Sequence, residues 1–170
     1  ALVQTQKGEQ KDTLTKYAGQ MGVGDLLMVY PNGQVYYSVA KGKELGTNLF
    51  MGPYKDSGLA KVFQKVLKVP GFQFQDFEPY APSDNQPIAF VAQPVMDGDV
   101  IEYVLAARLA LGDINAIMHQ REGMGSTGET YLVGSDKRMR SDSFLDPKSR
   151  SVQASFAGSI NKNDVDTEAL

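Results

Sequence analysis

Arg108 is the side chain in this 170-residue sequence best placed to do chemistry. It lies near the end of the run from Val100 to Leu111, which reads as one long strand. Alternation along a strand puts Glu102, Val104, Ala106, Arg108 and Ala110 on one face, and Ile101, Tyr103, Leu105, Ala107, Leu109 and Leu111 on the other. The second set reads as bulky core. The first surrounds one fixed cation with small residues, which leaves room for a ligand and offers a forked donor to a carboxylate or phosphate. The alternative is a structural ion pair with Asp76 or Glu78, because buried arginines are usually paired. Tyr37, Tyr54, Phe74 and Tyr80 could wall the same cavity, since ligand pockets favour aromatic sides with a few polar tips. Ordinary core packing competes for each of these four. Asp76 is a candidate second polar contact.

Other patterns carry less. Gly123, Gly125 and Gly128 match Gly-x-Gly-x-x-Gly, but a dinucleotide site needs a strand before those glycines and a helix after. Here the order is reversed, so the glycines read as a flexible joint. His119 could ligate haem or sense pH, yet its place in a short polar helix reads as a solvated face. Asp97, Gly98 and Asp99 lack the spaced acids of a calcium loop and read as a turn. Arg138, Arg140 and Asp142 alternate on one strand face, either as a site feature or as a surface ladder. The chain has no Cys and one His, which removes thiolate nucleophiles, disulfides, Cys-ligated metals and His-rich sites. No paired carboxylate or activated Ser is legible, so the expectation is a non-enzyme without a cofactor. With 17 Lys+Arg against 20 Asp+Glu, a formal charge of −3, and no basic block, nucleic acid is not an expected partner.

The elements that must position Arg108 follow from periodicity. Leu14, Tyr17, Ala18 and Met21 recur at helical spacing before Gly22 and Gly24 stop the pattern. Two apolar runs, 25–30 and 34–40, flank Pro31-Asn32-Gly33 and make the strongest hairpin signal in the chain. Residues 42–52 read as loop. Leu59, Val62, Phe63, Val66 and Leu67 form one helical face that Pro70 and Gly71 end. Strands are expected over 72–80, 88–96 and 100–111, a short helix over 113–121, and a second hairpin from 129–133 and 138–143. Helix, two strands, helix and three strands specify an α+β, PAS-like module: a five-stranded antiparallel sheet flanked by helices, with the first and fifth strands adjacent at its centre. The second hairpin repeats the opening of the first and announces a further module. Both ends of the chain read as cut from a longer protein.

The segment from Gly123 to Ser143 resembles the junction between the two modules of double Cache (PAS-like) extracellular sensor domains of bacterial transmembrane receptors. Leu45–Leu49, Gly52–Leu59 and Phe77–Ser83 resemble the first module of that family, and Val165–Ala169 the start of a helix in its second. The resemblance covers most of residues 25–170 and is specific at 128–143. Relatives that sense amino acids hold the ligand ammonium with an Asp on the fifth strand. The matching position here is Arg108, and the carboxylate-binding motif of those relatives is absent, so amino-acid specificity does not carry over.

The resemblance implies an N-terminal signalling helix (1–24), a PAS-like Cache module (25–112), a linker helix (113–124) and the beginning of an incomplete second Cache-like module (125–170). It implies a periplasmic, extracytoplasmic domain of an inner-membrane receptor, most like a methyl-accepting chemotaxis protein and homodimeric in full length. Such a domain would bind a small molecule, by Arg108 a carboxylate or other anion, and pass the signal across the membrane. The alternative is a dimerisation or partner-protein-binding module of a histidine kinase or cyclase with no small-molecule ligand.

Overall fold

The computed structural model describes residues 15–16, 18–20, 22–158 and 165. The chain divides between Leu109 and Ala110 into two compact units. Of the expected N-terminal helix, residues 15–16 and 18–20 are helical, and Leu14, Tyr17 and Met21 lie outside the described residues, as does the expected helix start at 166–169.

The first unit is an antiparallel sheet of β1 (Asp25–Val29), β2 (Val35–Ser38), β3 (Gln73–Tyr80), β4 (Gln86–Asp97) and β5 (Val100–Arg108), in the order β2-β1-β5-β4-β3. β1 and β5 are neighbours at the centre, paired from Asp25 opposite Arg108 to Val29 opposite Val104. Helix α1 (Gly58–Lys68) crosses between the hairpin and the meander. It starts where the Ser57 hydroxyl accepts from the Ala60 N–H, a capping bond that satisfies one of the free donors of the first turn. Its buried stripe, Leu59, Val62, Phe63 and Val66, packs on Leu27, Val29, Phe90, Ala92, Val104 and Ala106.

That packing reverses the expected sides of β5. Val104 and Ala106 are fully buried under the helix, whereas Tyr103, Leu105 and Ala107 on the other face are half-buried. Small residues let the helix approach the sheet closely. Strand parity separates the two faces but does not say which one the helix takes when both are apolar. β5 also stops at Arg108, and α2 begins at Leu111, two residues before the expected start. The Arg108 face is therefore core at Val104 and Ala106.

The second unit holds α2 (Leu111–Met118) and α3 (Val152–Ala157). The second expected hairpin reduces to one bridge, Val133 with Met139. The ladder does not extend because side chains take its donors: the Leu132 N–H donates to Ser141 Oγ and the Met139 N–H to Ser155 Oγ. The glycine segment is an ordered loop rather than a loose joint. The Arg121 guanidinium donates to the carbonyls of Gly125, Ser126 and Gly128 and lies 4.5 Å over the Phe144 ring. Among the described residues, no helix is long and apolar enough to cross a membrane.

Candidate functional site

On the helix-covered face, near the end of β5, one row of side chains crosses four strands. Asp25 of β1 and Phe90 of β4 both stand opposite Arg108 of β5, and the Tyr80 ring of β3 meets the Phe90 ring edge-on at 5.0 Å. The loop from 39 to 54 adds Glu44 to this row. The loop is held to the hairpin by backbone bonds from Gly46 to Val35, Val35 to Thr47 and Leu49 to Gly33. It is tied to the turn after β3 by an exposed ion pair, Lys43 to Asp84 at 2.7 Å.

Arg108 is half-buried, and it meets neither acid that sequence offered it. Its guanidinium donates to Ser83 Oγ and to the Gly24 carbonyl, both at 3.3 Å, and no carboxylate among the described residues forms an ion pair with it. Glu78 instead pairs with Lys61 at 2.7 Å, on the flank of α1. Gly24 makes the guanidinium's position possible, since a Cβ there would stand 2.9 Å from Arg108 Nε. Two long hydrogen bonds leave most of the guanidinium's donor capacity unspent.

The other polar groups divide into satisfied and unsatisfied. Asp25 is 3% exposed and filled: Oδ1 accepts from the N–H groups of Leu26 and Ala40, and Oδ2 from the Ser38 hydroxyl at 2.8 Å. Glu44 is 4% exposed, and its carboxyl is folded over Gly42, where a Cβ would collide with it. Its own backbone N–H and the Tyr80 hydroxyl lie within hydrogen-bonding influence of that carboxyl. Burial first, and then the Asp25 carboxylate, push the Glu44 carboxyl above its ordinary value. Its own backbone N–H, Arg108 and Tyr80 pull the other way and do not overcome this. The Tyr80 hydroxyl is buried with no hydrogen-bond partner, although it is close enough to Glu44 for the two to influence each other's protonation. Burial, then Glu44 and Asp25, raise it further, so it stays a donor.

The six residues singled out in the sequence do not converge. Arg108 and Tyr80 share the row, and Tyr54 lies half-buried in the covering loop. Tyr37 pairs with Met28 on the opposite face of the sheet and its hydroxyl sits 3.5 Å from Thr15 Oγ1. Phe74 pairs with Val91, also on that opposite face, and is 47% exposed. Asp76 occupies the irregularity between Gln75 and Glu78, with Oδ1 accepting from the Phe77 N–H. Glu44, Asp25, Ser38 and Ser83 are the site residues that sequence reading missed. Glu44 hides in the lysine-flanked stretch 41–46, which reads as solvated loop. Asp25 alone left a trace, as an acid heading an apolar strand.

In the second unit, His119 is held rather than solvated: its Nε2 lies 3.0 Å from the Asp142 carbonyl and its ring meets Phe144 edge-on. Arg138 and Arg140 both lie over the Phe156 ring, and Arg140 pairs with Asp136. Asp142 binds Asn115 and the Val152 N–H. These groups brace α2 and α3.

No family model matches this sequence, and no curated protein sequence matches it. Solved structures do. The sensor domain of the Vibrio cholerae histidine kinase DctB superposes with a TM-score of 0.54 at 17% identity, covering 83% of this chain and 51% of that one. The ligand-binding domain of the Pseudomonas fluorescens chemoreceptor CtaA, in complex with L-serine, gives 0.54 at 14% identity, covering 80% and 53%. That of the Campylobacter jejuni chemoreceptor Tlp3, in complex with 4-methylisoleucine, gives 0.53 at 13%, covering 75% and 47%. The fold is that of Cache-type sensor domains. The chain spans about half the length of these solved domains, and identities this low speak for architecture alone.

Proposed function

We propose that this chain is the extracytoplasmic ligand-sensing part of a bacterial membrane chemoreceptor, not an enzyme, and that it binds a small molecule through Arg108. The observation that carries this is the half-buried guanidinium with no acid paired to it among the described residues. Such donors at the mouth of a sheet suit a carboxylate or similar anion, which would take the unspent N–H groups as a fork. The Asp25 and Glu44 carboxylates alongside make a bare polyanion a poor fit and favour one compact acidic group. Sensor domains of the same fold with amino acids bound support the class of ligand site, not the ligand.

The proposed arrangement keeps the sequence-based organisation: a signalling helix before β1, one Cache module carrying the site, a linker helix, and the start of a second module. Closing the 39–54 loop over the ligand would bias the helix that leads to the membrane, in a homodimeric parent receptor. A coupling of about 1–3 kcal/mol suffices for such a switch.

The test is a thermal-shift screen of organic acids, amino acids, sugars and polyamines, with hits measured by calorimetry. A carboxylate hit abolished by Arg108→Ala, with folding intact by circular dichroism, is the expected result. A hit that the variant leaves unaltered places the site elsewhere. Silence across the panel removes the direct-ligand reading.

A further inference from the structure

Glu44 has no work in the fold that its neighbours do not already do. Asp25 ties β1 to the end of β2 with three donors, and the loop carrying Glu44 is fixed by backbone bonds. The Glu44 side chain nonetheless turns inward, 4% exposed, against the bare Cα of Gly42. It could have stayed in water, as Lys43 next to it does. The charged and titratable groups that face it come from three strands: Asp25 on β1, Tyr80 on β3 and Arg108 on β5. With Asp25 and Arg108 of opposite sign, an ionised Glu44 would be one surplus negative charge, buried beside the Asp25 carboxylate. A neutral Glu44 removes the surplus and keeps a carbonyl oxygen that can accept from the Tyr80 hydroxyl.

We propose that the proton is itself a ligand of this domain, bound at the Glu44 carboxyl, so that the loop from 39 to 54 reads external pH. Protonated, the side chain stays folded against Gly42 and the loop stays closed over the Arg108 row. Ionised, the carboxylate is drawn toward water and the inward packing of the turn from 42 to 47 is weakened, while the backbone bonds at Gly46 and Leu49 keep the rest of the loop on the hairpin. The direction of the effect on stability follows from the raised position of Glu44. Below the ordinary carboxyl value of 4.5 both folded and unfolded chains hold the proton, and the stabilisation from this group is complete. As pH rises from there through the higher value of folded Glu44, the unfolded chain gives up its proton first, and that stabilisation is lost.

This inference needs no bound anion and is decided separately from the anion reading. The test is thermal unfolding of the whole chain between pH 4 and pH 8, for the wild type and for Glu44→Gln. The expected result is a gap that opens with pH: melting points within about a degree at pH 4, and the variant several degrees higher at pH 8. A gap that is absent or constant with pH overturns the proposal. Should the variant not fold, the ¹³C signal of the Glu44 carboxyl in the wild type decides. A titration midpoint above the ordinary range sustains the proposal, and an ordinary midpoint sinks it. Arg108→Ala separates the two ideas. It must abolish anion binding if the ligand reading holds, and it must move the Glu44 midpoint upward if the proton reading holds, because the guanidinium pulls that carboxyl down.

Discussion

A single glycine sets the reach of Arg108. The guanidinium lies against Gly24 and donates to its carbonyl, so the backbone before β1 acts as a shelf for the cation. Gly24→Ala would put a methyl group 2.9 Å from Nε. The end of an arginine yields more readily than a strand, so the guanidinium moves and the backbone does not. Ligand affinity by calorimetry should fall at least about tenfold, roughly 1.4 kcal/mol, with little change in melting temperature. A large loss of stability with affinity retained would show that the shelf serves the fold instead. Asp25 illustrates the opposite economy: a buried acid whose three donors leave it nothing to offer a ligand.

At the scale of elements, the site depends on where α1 stops covering the sheet. The helix begins at the Ser57 cap, and its last buried contact is Val66. Ser57→Ala removes the bond to the Ala60 N–H and should cost about 1 kcal/mol, read as a lower urea midpoint with an unchanged slope. Ligand binding should survive, since no side chain of the Arg108 row belongs to the helix. The irregularities in the strands matter as much as the strands. The shift between Met28 and Val29 sets Tyr36 and Tyr37 both against Met28 and away from the Arg108 face. There Tyr36 stacks on Tyr30 at 4.0 Å and meets Tyr103 edge-on. Tyr37, which sequence offered as a pocket wall, lies instead on the back of the sheet.

At the scale of the molecule, the chain is two compact units, and the main core belongs wholly to the first, running from Leu27 to Ala106. A fragment ending at Leu109 should therefore keep its sheet. Far-ultraviolet circular dichroism and a cooperative melt would check this, and the same fragment should retain any ligand response of the whole chain. Loss of cooperative unfolding on truncation would mean that the first unit leans on the second for stability.

The sequence by itself determined the architecture. The Pro31-Asn32-Gly33 turn, the apolar face of 59–67 and the alternation in 100–108 are local signals, each sufficient for its element, and together they leave an antiparallel sheet with β1 beside β5. Arg108 and Tyr80 could be named from their types and positions in such strands. What only the tertiary structure decided is which face the helix covers, and hence who stands beside the arginine. Both faces of β5 carry apolar residues, so side-chain parity alone does not say which one the helix covers, and the irregular pairing at Met28/Val29 and Gln75/Glu78 moves Tyr37 and Asp76 off the register that alternation predicts. Glu44 was the least legible. Its burial is a property of a loop folded back by long-range backbone bonds, and nothing in the local pattern of lysines and glycines around it encodes that fold.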